Sequence, residues 1–426
     1  LIYRLSQLPG LKVSPTSSVF RYKGKEIDPI KVGNDLGVSA VLSGRITQRG
    51  ENLTISAELV DVRNNKLLWG EHYDRKSSEL LATQREIARE IVDNLQLKVS
   101  RQERALTKHY TENNEAYQLY LKGRFYWNTR TAEGFKKASE QFQQAVDKDP
   151  SFALAYVGLA DCYVVMEQYA GVPSSESLPN ARAAALRALE IDDSLAEAHA
   201  SLGLINEHSW QLADAEKEYK RAIELNPNYP TAHHWYALLL AVTGRDGMAE
   251  VKRAQQLDPL SAVIAANVGN HYYGRGDLNA ASEEYKKAIE LNPNLGLARS
   301  FLGLTYLKQG REQEAMVELQ KGVEVTGRAS QELGALGYGY GVMGKRAEAA
   351  AVLRELEEKY ARRESPGLYL AEVYAGLGEK DQAFAWLEKD FQARSSLLIF
   401  INIFPLEPLR DDPRYTDLLQ RVGLRP

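Results

Sequence analysis

Cysteine is nearly missing from this chain: Cys162 is the only one in 426 residues, which excludes an intrachain disulfide and a zinc centre built from cysteines. A lone cysteine in such a sequence is expected as a small buried apolar residue. Long hydrophobic runs are missing as well. No apolar stretch reaches the roughly 18 residues needed to cross a bilayer and no signal-peptide pattern is present, so the expectation is a soluble polypeptide. Charge of one sign does not dominate either, with 53 Lys and Arg against 57 Asp and Glu. The balance argues against a polyanion-binding chain, and nucleic acid is not an expected partner. It does shift along the sequence: residues 1 to 110 carry 18 basic and 13 acidic side chains, the remainder 35 and 44.

Catalytic constellations are also lacking. The seven histidines form no i, i+4 pair beside a carboxylate cluster, and no nucleophile elbow appears. "GYGYGVMGKRAE" (337–348) holds the skeleton of a phosphate loop, Gly339-x-x-x-x-Gly344-Lys345. A phosphate loop needs a preceding buried strand and a Ser or Thr after the lysine, and Arg346 stands in that place. No catalysis, cofactor or metal is expected from this segment.

What is present falls into two parts. "VSAVLSGRIT", "NLTISAELVDV" and "KLLWGEHYD", between 38 and 74, alternate apolar and polar residues and are separated by Arg49-Gly50-Glu51 and Arg63-Asn64-Asn65. They predict an antiparallel meander. A short helix at "LIYRLSQLPG", a strand at "LKVSPTSS" and a helix at 29–36 are expected before it. A helix from Ser78 to about Val99, running into the basic stretch "RQERALTKHY", is expected after it. This is an α+β domain over 1–110 that lacks its first strand, and a longer protein extending upstream of Leu1 is the expectation.

From Asn114 the pattern becomes one of helix pairs with a period near 34. Three segments superpose Gly203, Gly269 and Gly303, then Ala215, Ala281 and Ala315, then Ala222, Ala288 and Gly322, while Pro227, Pro259 and Pro293 close successive units. This resembles the tetratricopeptide repeat, an α-α solenoid. The frame gives about eight repeats over 114–395, the fourth shortened by about two residues, followed by a capping segment over 396–426. The first region is similar to the TolB-like domain on "LPGL", "F-x-Y-K-G", "LGV-x-x-VL-x-G" and "LLW-x-E-x-YDR". That resemblance implies a bacterial signalling protein whose upstream part is a serine/threonine kinase, a cyclase or a winged helix. Envelope assembly is a further alternative.

In a tetratricopeptide array the first helix of each pair lines a concave groove. The repeat frame places Tyr120, Arg124, Trp127, Glu207, His208, His234, Asn270, Tyr273, Lys308 and Tyr338 there. Aromatic anchors with polar neighbours suit an extended peptide or a helix from a protein partner. Gly334 and Gly341 are expected to give that groove a smooth floor, and His199 and His233 are expected to pack. The functional expectation is a non-catalytic interaction scaffold or regulatory segment.

Overall fold

The computed structural model describes residues 2, 5, 11–25, 28–95 and 110–425. Helix α1 (Pro29–Leu36) starts where the Asp28 carboxylate accepts from the Ile30 N–H and proline occupies the first turn. The meander follows as β1 (Ala40–Arg49), β2 (Asn52–Asp61) and β3 (Lys66–Lys76), antiparallel in the order β1-β2-β3. Alternation decides which face is buried. Ile55, Leu59 and Tyr73 point to one side and pack under Ile87, Ala88 and Ile91 of α2 (Leu80–Asn94). The strand expected at 11–18 does not form. Residues 11–15 are irregular and Thr16–Val19 is a single helical turn, because Pro15 has no N–H for a ladder and its carbonyl instead accepts from Ser18 and Val19. Most of 1–10, the end of the helix expected to reach Val99, and the basic stretch up to 109 lie outside the described residues.

From Asn114 onward the described chain forms eight antiparallel helix pairs. They are α3 (Asn114–Trp127) with α4 (Ala132–Lys148), α5 (Ala153–Val164) with α6 (Ser174–Ile191), and α7 (Ala196–His208) with α8 (Leu212–Leu225). Next come α9 (Pro230–Val242) with α10 (Met248–Leu257), α11 (Ala262–Gly274) with α12 (Leu278–Leu291), and α13 (Gly296–Lys308) with α14 (Glu312–Val325). The last two are α15 (Ser330–Val342) with α16 (Arg346–Ala361), and α17 (Leu368–Gly376) with α18 (Lys380–Gln392). The fourth pair has the shortest second helix of the eight, with 10 residues.

The repeated glycines are sockets for rings. A Cβ on Gly123, Gly203 or Gly269 would stand 2.5, 2.7 or 2.6 Å from the rings of Phe142, Tyr219 or Tyr285, each on the second helix of its own pair. All three rings are fully buried. A methyl group there would drive the two helices apart.

Two features turn the open array into a closed one. The extended turn of the second repeat reaches the seventh: Gln168 donates to Gln331 at 3.3 Å, and Gly171, at φ 68°, packs against the backbone of Glu364. The chain after α18 then returns along the first helices instead of continuing the stack. Leu397, Leu398, Ile399, Ile401, Leu406 and Leu409 are each at most 1% exposed there. Only α19 (Pro413–Val422) packs on α18 as a further layer, with Arg414 bonded to Asp381 and Arg421 to Glu388. The α+β unit rests on the middle of the array through Ser18 to Asp258, Arg21 to the Leu291 carbonyl, and Leu260 in the core of Val32, Leu36 and Val41. Among the described residues no helix is long and apolar enough to cross a membrane.

Candidate functional site

The concave face is lined by first helices, and the segment 396–409 fills its centre. At its start Ser396 donates both its N–H and its hydroxyl to Glu167, which also accepts from Ser174. Further on, Phe400 meets the His208 ring edge-on at 5.5 Å and Phe404 meets Tyr369 at 6.0 Å. At the end Glu407 pairs with Lys308. Burying six aliphatic side chains of this segment contributes roughly 10 kcal/mol, at about 1.5–3 kcal/mol each. A partner that displaced it would have to supply that much before binding at all.

The sequence-derived residues therefore divide into two groups. Glu207, His208, Asn270, Tyr273, Lys308 and Tyr338 lie along or beside the filled centre. Glu207 is fully buried, accepts from the Tyr219 hydroxyl at 2.7 Å, and is pushed by burial up to about 8. Burial takes His208 the other way, down to about 4. Asn270 accepts from Tyr285 at 2.7 Å. Tyr273 carries the Lys308 ammonium 4.1 Å over its ring, and Tyr338 is half-buried near Glu407 and Arg410. Asn270, Tyr273 and Lys308, together with Asn402, Glu407 and Arg410, line a remaining cavity of about 450 Å³.

Tyr120, Arg124, Trp127 and His234 belong to the second group. They line a cleft of about 2050 Å³ between the first helix pairs and the α+β unit. Tyr120 is seated on Phe142 and Phe152, with ring centres 5.7 and 5.2 Å apart. Arg124 bonds the buried Asp161 at 3.1 Å and lies 4.6 Å over the Trp127 ring, which also carries Arg130 at 3.6 Å and packs edge-on against Phe135. His234 is held neutral, down to about 3, by burial and then by Arg130.

Gly341 is not on a groove floor. A Cβ there would stand 2.5 Å from the backbone carbon of Gly376, and one on Gly376 would stand 2.5 Å from the Tyr338 carbonyl. The two glycines let α15 and α17 touch backbone to backbone. Gly334 has the same kind of role against Tyr369 and Glu372. His199 and His233 do more than pack, since each places Nδ1 on a second-helix carboxylate, Glu218 at 2.6 Å and Glu250 at 2.5 Å.

Sequence reasoning missed Glu167 and the segment 396–409. "SSLLIFINIFPL" was the available signal: an apolar run with neither helical nor strand periodicity can be buried only by something already folded. Among the described residues no group of three His, Cys, Asp or Glu could hold a metal ion.

Family models match three parts of the chain: "TPR repeat" at 269–310, "Tetratricopeptide repeat" at 196–229, and "HilA/YgeH-like transcriptional regulator, second domain" at 1–92. A Rhizobium meliloti (strain 1021) protein named "Putative adenylate cyclase 3" is 30% identical over 219 residues, 51% of this chain and 37% of its own length. The transcriptional regulator HilA of Salmonella typhimurium is 25% identical over 258 residues, 59% of this chain and 46% of its own. The chain thus spans less than half the length of these curated relatives. Among solved structures, Pseudomonas aeruginosa PilF is 21% identical and covers 50% of this chain and 93% of its own, with a TM-score of 0.39. Helix pairs at this spacing, ring sockets at the repeated glycines and the two repeat models at 196–229 and 269–310 together show that the chain contains tetratricopeptide repeats.

Proposed function

We propose that this chain is a non-catalytic protein-interaction segment and that its partner enters the cleft between the α+β unit and the first helix pairs. The observation that carries this reading is the division of the concave face. Its centre is filled by 396–409, whereas the cleft that Tyr120, Arg124, Trp127 and His234 line is not, with Trp127 and His234 themselves only 4% and 7% exposed in its floor. Tetratricopeptide repeats generally mediate contacts between proteins, and aromatic side chains backed by ordered cations are suitable anchors. A photo-crosslinking residue placed at Phe125 in the full chain should capture a discrete partner in cells, and one placed at Tyr273 should not. Equal capture at both positions would return the site to the centre of the groove.

A second reading concerns what the segment serves. The relatives named as an adenylate cyclase and as a transcriptional regulator match 51% and 59% of this chain, and the chain covers well under two thirds of each. The resemblance of 1–110 to a TolB-like domain, carried by its sequence motifs alone, implies a tie to kinases and cyclases in the same sense. On this reading the segment regulates an effector domain elsewhere in a longer protein. The upstream gene sequence tests it: an effector domain in frame supports the reading, and a start codon directly before Leu1 sinks it.

A further inference from the structure

The turn after α3 holds a cation that the fold does not answer. Arg130, half-buried in the lining of the cleft, lies 3.6 Å over the Trp127 ring, and Arg124 lies 4.6 Å over the same ring. Asp161, the carboxylate beside them, is already engaged. One of its oxygens accepts from Arg124 at 3.1 Å and the other from Ser201 at 2.5 Å. Among the described residues the Arg130 guanidinium donates to no acceptor and pairs with no acid. Burial lowers it from the ordinary arginine value, and the charge of Arg124 adds to that. A desolvated charge beside a like charge is costly until a counter-charge reaches it.

Two more unmet groups stand at the same place. The Trp127 Nε1–H, in a side chain 4% exposed, has no acceptor, and His234, 7% exposed, has no partner at Nε2. Both residues line the cleft. His234 comes from α9 yet shares the space of Arg130: burial lowers its ring first, and the Arg130 charge lowers it next. The Tyr169 hydroxyl meets the same charge, which offsets part of the rise that burial gives it. Glu197, a further carboxylate of the lining, is 8% exposed and acts on Tyr120 and Tyr229. Polar groups buried this far nearly always have partners, so three unmet ones together point to a polar ligand that completes them.

The ligand has to be an anion, and the donors narrow its shape. They come from a turn, from α3 and from α9, three directions and not one plane. That arrangement suits a tetrahedral oxyanion better than a planar carboxylate, and a guanidinium fork meets phosphate oxygens in pairs. We propose that this pocket binds a phosphate group, seated on Arg130 between the Trp127 indole N–H and the His234 ring. The ion meets Arg130 first, since it is the accessible member of the three, and a rotation of the His234 ring brings its N–H onto a second oxygen. The site does not require a protein partner in the cleft above it, and crosslinking at Phe125 tests that partner separately.

The test measures binding of inorganic phosphate, methyl phosphate and acetate to the full chain by calorimetry, in a buffer free of other oxyanions. Phosphate should bind about tenfold more tightly than acetate. Tighter binding of methyl phosphate than of inorganic phosphate supports a site for a phosphate monoester, and the reverse order supports a site for the free ion. Arg130→Gln should weaken phosphate binding by about tenfold or more with circular dichroism unchanged, and Arg130→Lys, which keeps the charge without the fork, should weaken it less. Arg346→Gln, which removes an exposed arginine of the seventh pair, should leave binding as it was. No phosphate binding at about 10 mM would overturn the site. So would acetate binding as tight as phosphate, unchanged binding by Arg130→Gln, or an equal loss in Arg130→Gln and Arg346→Gln.

Discussion

Buried ionisable groups set the chemistry of this interior residue by residue. Glu207, at about 8, is neutral in the folded chain over most of the physiological range, as its low-dielectric surroundings require. Its folded value lies above its unfolded one, so the stability it permits is complete below about 4.5 and is lost as pH rises through 8. Glu332 and Asp390, each raised by burial to about 7, act in the same direction. His208 and His271, lowered by burial to about 4, act in the opposite one: their contribution is complete above 6.5 and lost as pH falls through 4. Between about 4.5 and 6.5 the two sets oppose each other, and above 6.5 only the acids act, so stability should fall from pH 6.5 to 8. Glu207→Gln should remove on the order of 2 kcal/mol of the decline between pH 6 and 9, read from denaturant midpoints across that range. A slope identical to the parent chain would mean that Glu207 is solvated. The histidines at the start of first helices show a second residue-scale pattern. His199 and His233 each reach back to the carbonyl six residues earlier, Asp193 and Pro227, and Arg299 does the same to Pro293. Each also bonds a carboxylate on the second helix, so one side chain ties the entry loop to both helices of its pair.

Among the elements, the returning segment 396–409 matters most. Leu398 is fully buried in the apolar core, where a carboxylate would be desolvated. Leu398→Asp should cost more than about 3 kcal/mol and increase binding of a hydrophobic dye, measured by urea denaturation and by fluorescence. A change under about 1 kcal/mol would show that the segment is a surface strap. A fragment ending at 395 would carry an apolar groove that the whole chain does not have, and binding measured on it would not describe the protein. The helix pairs were legible in the sequence because their positions recur: Gly, aromatic and Ala at fixed offsets need one another within a pair. The meander was legible from its alternation and its turns. The path of 396–409 was not, since nothing local to "SSLLIFINIFPL" names the helices that bury it. Of the candidate site, Tyr120, Arg124, Trp127 and His234 could be read as groove residues from the frame alone. Their separation from Tyr273 and Lys308 could not, because that depends on the segment between them. Gly341 was misread for a related reason: a glycine facing a neighbouring helix and one facing solvent have the same offset in the repeat.

At the scale of the whole molecule, closure changes how the array should unfold. An open solenoid is stabilised by nearest neighbours and can lose its end repeats one at a time. Here the second repeat touches the seventh, and Glu167 and Tyr369 bind the same segment from opposite ends of the sequence. Gly171 is the narrowest point of that junction: its φ of 68° disfavours a side chain, and the Glu364 backbone leaves no room for one. Gly171→Val should raise hydrogen exchange together at 166–173 and 362–366 while leaving α11 and α12 protected. Exchange confined to the first of these stretches would show that the contact closes nothing.

The return of 396–409 also imposes an order on synthesis. Domains form from the N-terminal end as the chain emerges, and this segment follows all sixteen helices of the array. Until it has been made, the first helices that it covers present apolar faces to the cell. The nascent array is therefore, for the last part of its translation, a natural client of chaperones, and the final stretch of message releases it.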